Sequence, residues 1–344
     1  MNNPQTPGKR RIVKWVGILV LAAIALHGLN WWLLSRQAEL LLQVWLDERR
    51  AEGFEISHTQ LSVGGYPFEV TLTAQTLEIK RSLPQGVWAT NSEGITARSK
   101  LMSPNVIKIT TQSSDALWPR FGRIEAGKLE AGPAHIDLNI VDGQPKTVNL
   151  LIGDLLFTGA NGRVATTETL DLKLKQPTLP AVVEISIDAR KTILPEQANS
   201  PLGTSVARFQ MTAQLNGAVS PGTLRSILSE WQGNGGTIEV GTLTFDHGPL
   251  SLTGNGTLSL DQSLQPVGAF SAKVQGFRPT LSALTQQSLI NERDAALASI
   301  VLGALAKPSP SNGKPTLDLP ITLQQQTLSV GPFNLMKLKA FIWE

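Results

Sequence analysis

The side chains that could carry chemistry are few and scattered along this chain of 344 residues. Its four histidines, His27, His58, His135 and His247, lack the i, i+4 spacing that places two imidazoles on one metal ion. Cysteine is absent, which excludes a thiol nucleophile, a thiolate metal site, disulfides and a lipidated cysteine. No Gly-x-Ser-x-Gly motif is present to hold a nucleophilic serine at a strand-to-helix turn.

The remaining motifs favour structural roles. The run Gly233-Asn234-Gly235-Gly236 has the glycines of a phosphate-binding loop but no following Lys-Ser or Lys-Thr, so we expect a hairpin tip. Asp246, His247 and Asp261 follow or end apolar segments, where such side chains cap turns. The sequence therefore predicts no enzyme activity, no catalytic residue, no metal ligand and no cofactor.

The basic charge of the chain is concentrated at its N-terminus. Lys and Arg total 30 against 27 Asp and Glu, and five of these basic residues stand within the first 36 positions. The rest therefore carries 25 basic and 27 acidic residues, a net charge near −2. Because no stripe of Lys and Arg with interleaved aromatics occurs, we expect no nucleic-acid partner.

Residues 12–34 form an apolar segment behind a basic tail, residues 1–11. About 20 apolar residues cross the ~30 Å hydrocarbon core as a helix, and the positive-inside rule keeps the basic tail in the cytoplasm. Trp15, Trp31 and Trp32 stand near its ends, where indole rings favour the membrane interface, and Leu19 and Leu26 lie between them. The segment predicts a single-pass membrane anchor.

Residues 35–53 continue as a stalk helix that Gly53 would end. Leu40, Leu41, Val44 and Trp45 recur at helical spacing. We expect this apolar stripe to pack on the domain that follows; the alternative is a helix lying in the lipid interface.

From Phe54 the pattern changes to strict alternation, typical of antiparallel strands with one apolar and one polar face. In one such strand Ile136, Leu138 and Ile140 share the apolar face. Asn-Gly and Asp-Gly pairs predict turns at residues 142–143, 161–162, 216–217, 234–235 and 255–256.

Beyond the stalk, helices are expected only after residue 220, at 221–231 with Ser220 as N-cap, at 280–288 and at 291–307. The apolar faces of the strands at 54–215 then have no helix to cover them, and they must meet another sheet, curl or enclose something apolar. We predict a mainly β fold: a transmembrane helix and a stalk helix, followed at 54–344 by an exported domain with an internal boundary near 216–236. Its extended, curved antiparallel sheet forms either an open β-groove or a closed sandwich, with a few short helices near the C-terminus.

The segment Gly65-Tyr66-Pro67-Phe68, after an anchor and a stalk helix, resembles the opening motif of a bacterial family catalogued as domain of unknown function 2125. The strand entries Gly248-Pro249 and Gly331-Pro332 match that family's order, although its members usually have a glycine where Gln325 or Gln326 stands. Pro67 and the preceding glycines set a turn that we expect to bury Tyr66 or Phe68.

The family has no established activity, so the resemblance implies a fold rather than a chemistry. It implies a bacterial inner-membrane protein whose N-terminus is cytoplasmic and whose C-terminal domain is periplasmic. The layout is similar to that of AsmA-like and β-groove envelope proteins, which implies lipid handling by analogy.

Three functions follow as hypotheses. The favoured one is an envelope protein whose groove, lined by Ile136, Leu138 and Ile140, binds or conducts membrane lipid. The second is a scaffold or assembly factor that pairs through its sheet edge with another envelope protein. The third is a hydrolase whose site carries no recognisable motif.

The anchor is predicted to be retained in the mature protein. A signal peptidase could recognise Ala23-Ile24-Ala25, but the apolar run continues without a break to Leu34. Intact-mass analysis of the membrane fraction should find the whole chain, whereas a mature N-terminus near Leu26 would contradict the anchor.

Overall fold

The computed structural model describes residues 8–84, 86–120, 126–176, 182–196, 200–218, 220, 222–309, 313–331 and 333–343. The protein is mainly β, with 54% of its residues in strands, a long N-terminal helix, a large curved antiparallel sheet and a few short C-terminal helices. The predicted fold class is confirmed.

The helices are α1 (Gly8–Ala51), α2 (Leu224–Gly233), α3 (Phe277–Gln286) and α4 (Glu292–Leu305). The strands of the first half are β1 (Phe54–His58), β2 (Ser62–Gly64), β3 (Glu69–Leu83), β4 (Gly86–Lys100), β5 (Ser103–Thr111), β6 (Ser113–Trp118), β7 (Gly127–Ala131), β8 (Ala134–Val141), β9 (Gln144–Gly159) and β10 (Val164–Lys175). Those of the second half are β11 (Val182–Ile193), β12 (Ser205–Asn216), β13 (Thr237–His247), β14 (Leu250–Leu260), β15 (Pro266–Gln275), β16 (Lys307–Pro308), β17 (Pro315–Gln324), β18 (Thr327–Val330) and β19 (Phe333–Lys337).

The anchor and the stalk form one continuous helix, α1, of 44 residues. At 1.5 Å per residue it is about 66 Å long, and it is apolar and long enough to cross a membrane. Gly53, with φ of +88°, follows the end of α1 and leads the chain into β1, as its position predicted.

The face of α1 that packs on the sheet differs from the predicted one. Leu40 and Trp45 belong to the stripe that we expected to be covered, and the whole stripe is exposed. Ser35 and Leu46 are buried instead, on the face of α1 that contacts β1 and β3. The short turn at Gly53 brings β1 back along that face, and the small Ser35 allows close approach, so geometry rather than apolar character selects it.

All nineteen strands of the described residues belong to one antiparallel sheet. At one end of the sheet, β3 pairs with β1 and β2 on one side and with β4 on the other. Between β4 and β9 lie two pairs of short strands, β5 with β8 and β6 with β7, and each pair joins β4 to β9 through its own pairings. From β9 the order is sequential to β15, followed by β17, β18 and β19. Within the described residues no second sheet exists.

Three long strands contain an internal residue with positive φ, and the pairing register is the same on both sides of it. Gly94, Asp154 and Lys191 have φ of 61°, 49° and 51°. In β9 the apolar positions shift from Ile152 on one side of Asp154 to Leu155 on the other, so the alternation changes phase by one residue.

One predicted turn and one predicted hairpin tip are wrong. Asn255-Gly256 lies inside β14, and Gly256 is required there because a Cβ would collide with the ring of Phe270 on β15. Asn234-Gly235 ends α2 as its C-cap, with φ of +72° at the glycine, and is not a hairpin tip. Glycine is needed at position 256 for close approach of a neighbouring strand and at position 235 for its positive φ. The Asn-Gly pattern alone does not distinguish these needs from a hairpin turn.

The three short helices lie after residue 220, as predicted, with changes at their ends. The N-cap of α2 is Thr223 rather than Ser220, because the Thr223 side chain accepts a hydrogen bond from the Ser226 amide. Asn291 caps α4 as expected, and α3 begins earlier, at Phe277. Near residues 216–236, α2 is inserted between β12 and β13, which pair directly with each other.

The polar face of the sheet is held by a charge cluster on β11 and β12. Asp188 is only 8% exposed and accepts hydrogen bonds from both Nε and Nη2 of Arg208 at 3.0 and 2.9 Å. Arg190 donates to the same carboxylate at 2.7 Å. Arg208, and then Arg190, lower the pKa of Asp188 to about 2.

Asp188→Asn is predicted to lower the free energy of unfolding at pH 7 by about 1–2 kcal/mol, since the partner arginines are partly screened by water. A depressed carboxyl pKa stabilises above the unfolded value, near 4, and that stability is lost as the pH falls through the folded value. The difference in the free energy of unfolding between wild type and variant should therefore shrink as the pH falls from about 4 to about 2. Denaturant titration followed by tryptophan fluorescence measures it.

The control is Asp137→Asn, which removes a carboxylate from an exposed pair whose atoms are 4.0 Å apart. That variant should unfold close to wild type. Equal destabilisation by both variants, or a pH-independent gap at Asp188, would contradict the role given to the cluster.

Candidate functional site

Apolar residues form continuous rows that cross the sheet from strand to strand. Residues opposite each other in an antiparallel pair lie on the same face, so the register shows which side chains are neighbours. The first row runs through twelve strands from β3 to β17: Leu72, Ala97, Ile109, Ile136, Leu150, Leu172, Ile187, Met211, Leu243, Gly254, Ala272 and Leu319.

Two parallel rows flank the first. One contains Ile107, Leu138, Val148, Leu174, Ile185, Ala213, Val240, Gly256, Phe270, Ile321 and Val330. The other contains Ala134, Ile152, Leu170, Ala189, Phe209, Phe245, Leu252, Val274 and Leu317. No charged or hydrogen-bonding side chain interrupts any of the three rows, which together are called the apolar face.

The apolar face is large for a single chain. With strands about 4.8 Å apart, the first row measures about 50 Å along the sheet, and neighbouring rows are about 7 Å apart. Monomeric soluble proteins rarely expose a contiguous apolar patch of more than a few hundred Å², so a face of this extent needs cover over most of its area.

The face is only partly covered by the protein itself. Ile136, Leu172, Ile187 and Met211, in the middle of the first row, are half-buried rather than buried. Leu317, at the far end, is buried near the strands that α3 and α4 contact. The whole chain exposes 22,247 Å², whereas a compact protein of its mass exposes about 13,600 Å². The exposed side chains of α1 contribute to that excess.

Two of the three predicted groove residues belong to the apolar face. Ile136 and Leu138 lie in adjacent rows, and Asn139 is exposed on the opposite side of β8. Ile140 is half-buried but lies beyond a register shift and pairs with Pro145 near the β8–β9 turn. Their role in binding stays a prediction.

The polar face carries two open depressions, of about 800 and 480 Å³. Lys173 and Ser186 line the larger one, where Lys175 and Glu184 pair at 3.1 Å. Threonines such as Thr244 and Thr253 line the smaller one. Among the described residues no group of three or more His, Asp or Glu could hold a metal ion.

The segment Gly65–Phe68 lies against the membrane helix. His27 Nε2 donates to the Pro67 carbonyl at 2.6 Å, since that oxygen can only accept, and Trp31 Nε1 donates to the Glu69 carbonyl at 2.7 Å. The Tyr66 ring packs edge-on to Trp31 with ring centres 5.5 Å apart. This segment therefore joins the sheet to α1.

The expectation that the motif buries Tyr66 or Phe68 is wrong. Tyr66 is 53% exposed and Phe68 is 77% exposed, because the motif stands at the end of the sheet with only one helix beside it. The sequence also missed the role of His27, although a single histidine inside an apolar anchor is a signal of a specific partner.

The remaining predicted anchor residues are exposed on α1. Trp15, Leu19, Leu26 and Trp32 face away from the sheet, where a membrane would contact them. Trp31, expected to serve only the membrane interface, is turned towards the Glu69 carbonyl instead. Indole N–H groups in apolar surroundings need such an acceptor.

The other motif residues have backbone roles. Gly248 has φ of +54°, and a Cβ there would collide with the Leu202 carbonyl, which explains the glycine before Pro249. Gly331 has φ of +56°, and Pro332 lies outside the described residues. Gln325 and Gln326 both have positive φ, of 48° and 61°, in the β17–β18 turn, which is where a glycine would relieve strain.

The comparisons with known proteins bear on this arrangement. No curated protein matches the chain. A family model described as "Uncharacterized protein conserved in bacteria (DUF2125)" matches residues 31–339. The match begins at Trp31, within α1, and continues past the last strand of the sheet. The chain therefore belongs to this bacterial family.

Proposed function

We propose that this protein binds the acyl chains of membrane lipids on its apolar face and conducts them away from the membrane that α1 crosses. The observation that carries the proposal is the continuity of the three rows, which contain no polar side chain from β8 to β17. A half-buried apolar surface of this kind gains free energy when hydrocarbon covers it, about 25 cal/mol per Å². Covering some 200 Å² would contribute about 5 kcal/mol.

The uniformity of the rows supports conduction as well as binding. A site that fixes one ligand combines an apolar pocket with a few placed polar groups. The rows offer hydrocarbon contacts of similar kind at each strand, so the free energy of a bound chain changes little from one strand to the next. A lipid could then move along the sheet without escaping a deep minimum.

The position of the first strands supports a path that begins at the membrane. Leu72 starts the first row on β3, and β3 is the strand whose Glu69 carbonyl accepts the hydrogen bond from Trp31. The row thus begins beside the helix that is long and apolar enough to span a membrane. We place that membrane at the bacterial inner membrane and the sheet in the periplasm, on the strength of the basic N-terminal tail.

The scaffold hypothesis ranks second. The described sheet has an edge at β18 and β19, strands of four and five residues, while its other edge lies beside α1. Short edge strands limit pairing with another chain. They therefore support edge-to-edge assembly less strongly than the three apolar rows support lipid binding. We propose a binding role rather than a catalytic one.

Leu138→Asp is predicted to reduce lipid binding at least about tenfold, because a carboxylate would lie against acyl chain without a partner. The melting temperature should change little, since Leu138 is half-buried and the charge can reach water when no lipid is bound. Purified full-length protein would be titrated with a phospholipid carrying a fluorescent acyl chain, and its melting would be followed in parallel.

Asn139→Asp provides a matched control, since it adds the same charge one residue away on the exposed, opposite face of β8. This variant should bind lipid like wild type. Absence of binding in wild type, or equal loss in both variants, would contradict the proposal. Collapse of the melt in Leu138→Asp would show instead that the face is a packed core.

A further inference from the structure

Two exposed apolar loops meet at the end of the sheet beside α1. The Leu101 amide donates to the Phe68 carbonyl at 3.1 Å and thereby holds the β4–β5 turn against the Gly65–Phe68 segment. Phe68 is 77% exposed and Met102, in that turn, is 94% exposed. Tyr66, Phe68, Leu101 and Met102 are called the apolar tip.

Hydrogen bonds fix the level of the apolar tip along α1. His27 and Trp31 bind the carbonyls of Pro67 and Glu69, so the tip stands opposite these two positions of the helix. The apolar run continues to Leu34, about 5–10 Å further along the helix axis. The tip is therefore level with the last turns of the segment that would lie in the membrane.

The backbone carbonyls of the tip have hydrogen-bond donors within the protein, as a low-water environment requires. The Pro67, Phe68 and Glu69 carbonyls each have a donor, from His27, the Leu101 amide and Trp31 respectively. Irregular backbone at membrane depth needs such partners, because an unsatisfied carbonyl in hydrocarbon costs several kcal/mol. Two of these donors come from the membrane helix itself.

We propose that the apolar tip inserts into the lipid leaflet beside α1 and forms a second membrane attachment of the sheet. The occupant of this surface is the bilayer, since the tip is continuous with the exposed apolar surface of α1 and stands at its level. Lys100, exposed next to the tip, lies where it would meet anionic headgroups. Insertion does not depend on the lipid binding proposed above, but it would bring the first strand of the apolar face to the leaflet.

The absence of cysteine from the chain makes a direct test available. Single-cysteine variants Phe68→Cys and Met102→Cys of the full-length protein would carry a nitroxide label in vesicles of phosphatidylethanolamine and phosphatidylglycerol. Val87→Cys is the matched control, because Val87 is 54% exposed at the opposite end of the same β3–β4 pair. Collision rates with oxygen, which partitions into lipid, and with a water-soluble nickel complex would be compared.

The ratio of oxygen to nickel collision rates is expected to be at least about threefold higher at 68 and 102 than at 87, as for side chains that enter the headgroup and acyl boundary. Equal ratios at all three positions would overturn the proposal, because the tip would then lie in water. Protection of 68 and 102 from both reagents would also overturn it and indicate a protein partner. Neither result depends on whether the apolar face binds lipid.

Discussion

The structure depends on one constraint, the need to cover a continuous apolar face whose middle the described chain leaves half-buried. In most β proteins the apolar sides of two sheets meet, and each removes the other from water. Here all the described strands join a single sheet, and side chains such as Ile187 and Met211 are half-buried in it. We propose that hydrocarbon from the membrane that α1 would span is the partner of this face.

Local features of the strands bear on both faces of the sheet. Gly94, Asp154 and Lys191 have positive φ inside their strands, and in β9 the apolar positions change phase by one residue across Asp154. On the polar face, Asp188 between two arginines ties β11 to β12 through charged hydrogen bonds. The sheet therefore gains cohesion from its polar face and keeps its apolar face free of polar groups.

The sequence predicted the elements well because their signals are local. Alternation identified the strands, and apolar periodicity with Asn291 as a cap identified α4. It could not choose between one sheet and two, because alternation gives the face of a residue and not the partner of its strand. The Asn-Gly pair at 255–256 was misassigned for a related reason, since the need for Gly256 arises from Phe270 on a neighbouring strand.

In the candidate site too, the sequence predicted the local features and missed the long-range contacts. Ile136 and Leu138 were found from their spacing, but the connection of the sheet to α1 through His27 and Trp31 was not, because it links residues about forty positions apart. Likewise, the stalk stripe at Leu40 and Trp45 was assigned to the wrong side, since the turn at Gly53 decides which face of the helix meets β1.

Site-specific photocrosslinking in cells tests the central claim most directly. A photoreactive residue would replace Met211, in the middle of the first row, or its strand neighbour Gln210, which pairs with Thr244 on the polar face. The account predicts lipid adducts, detected by mass spectrometry of the purified protein, at 211 and not at 210. Adducts absent from both positions, or equal at the two, would contradict the claim that the apolar face of the sheet carries lipid.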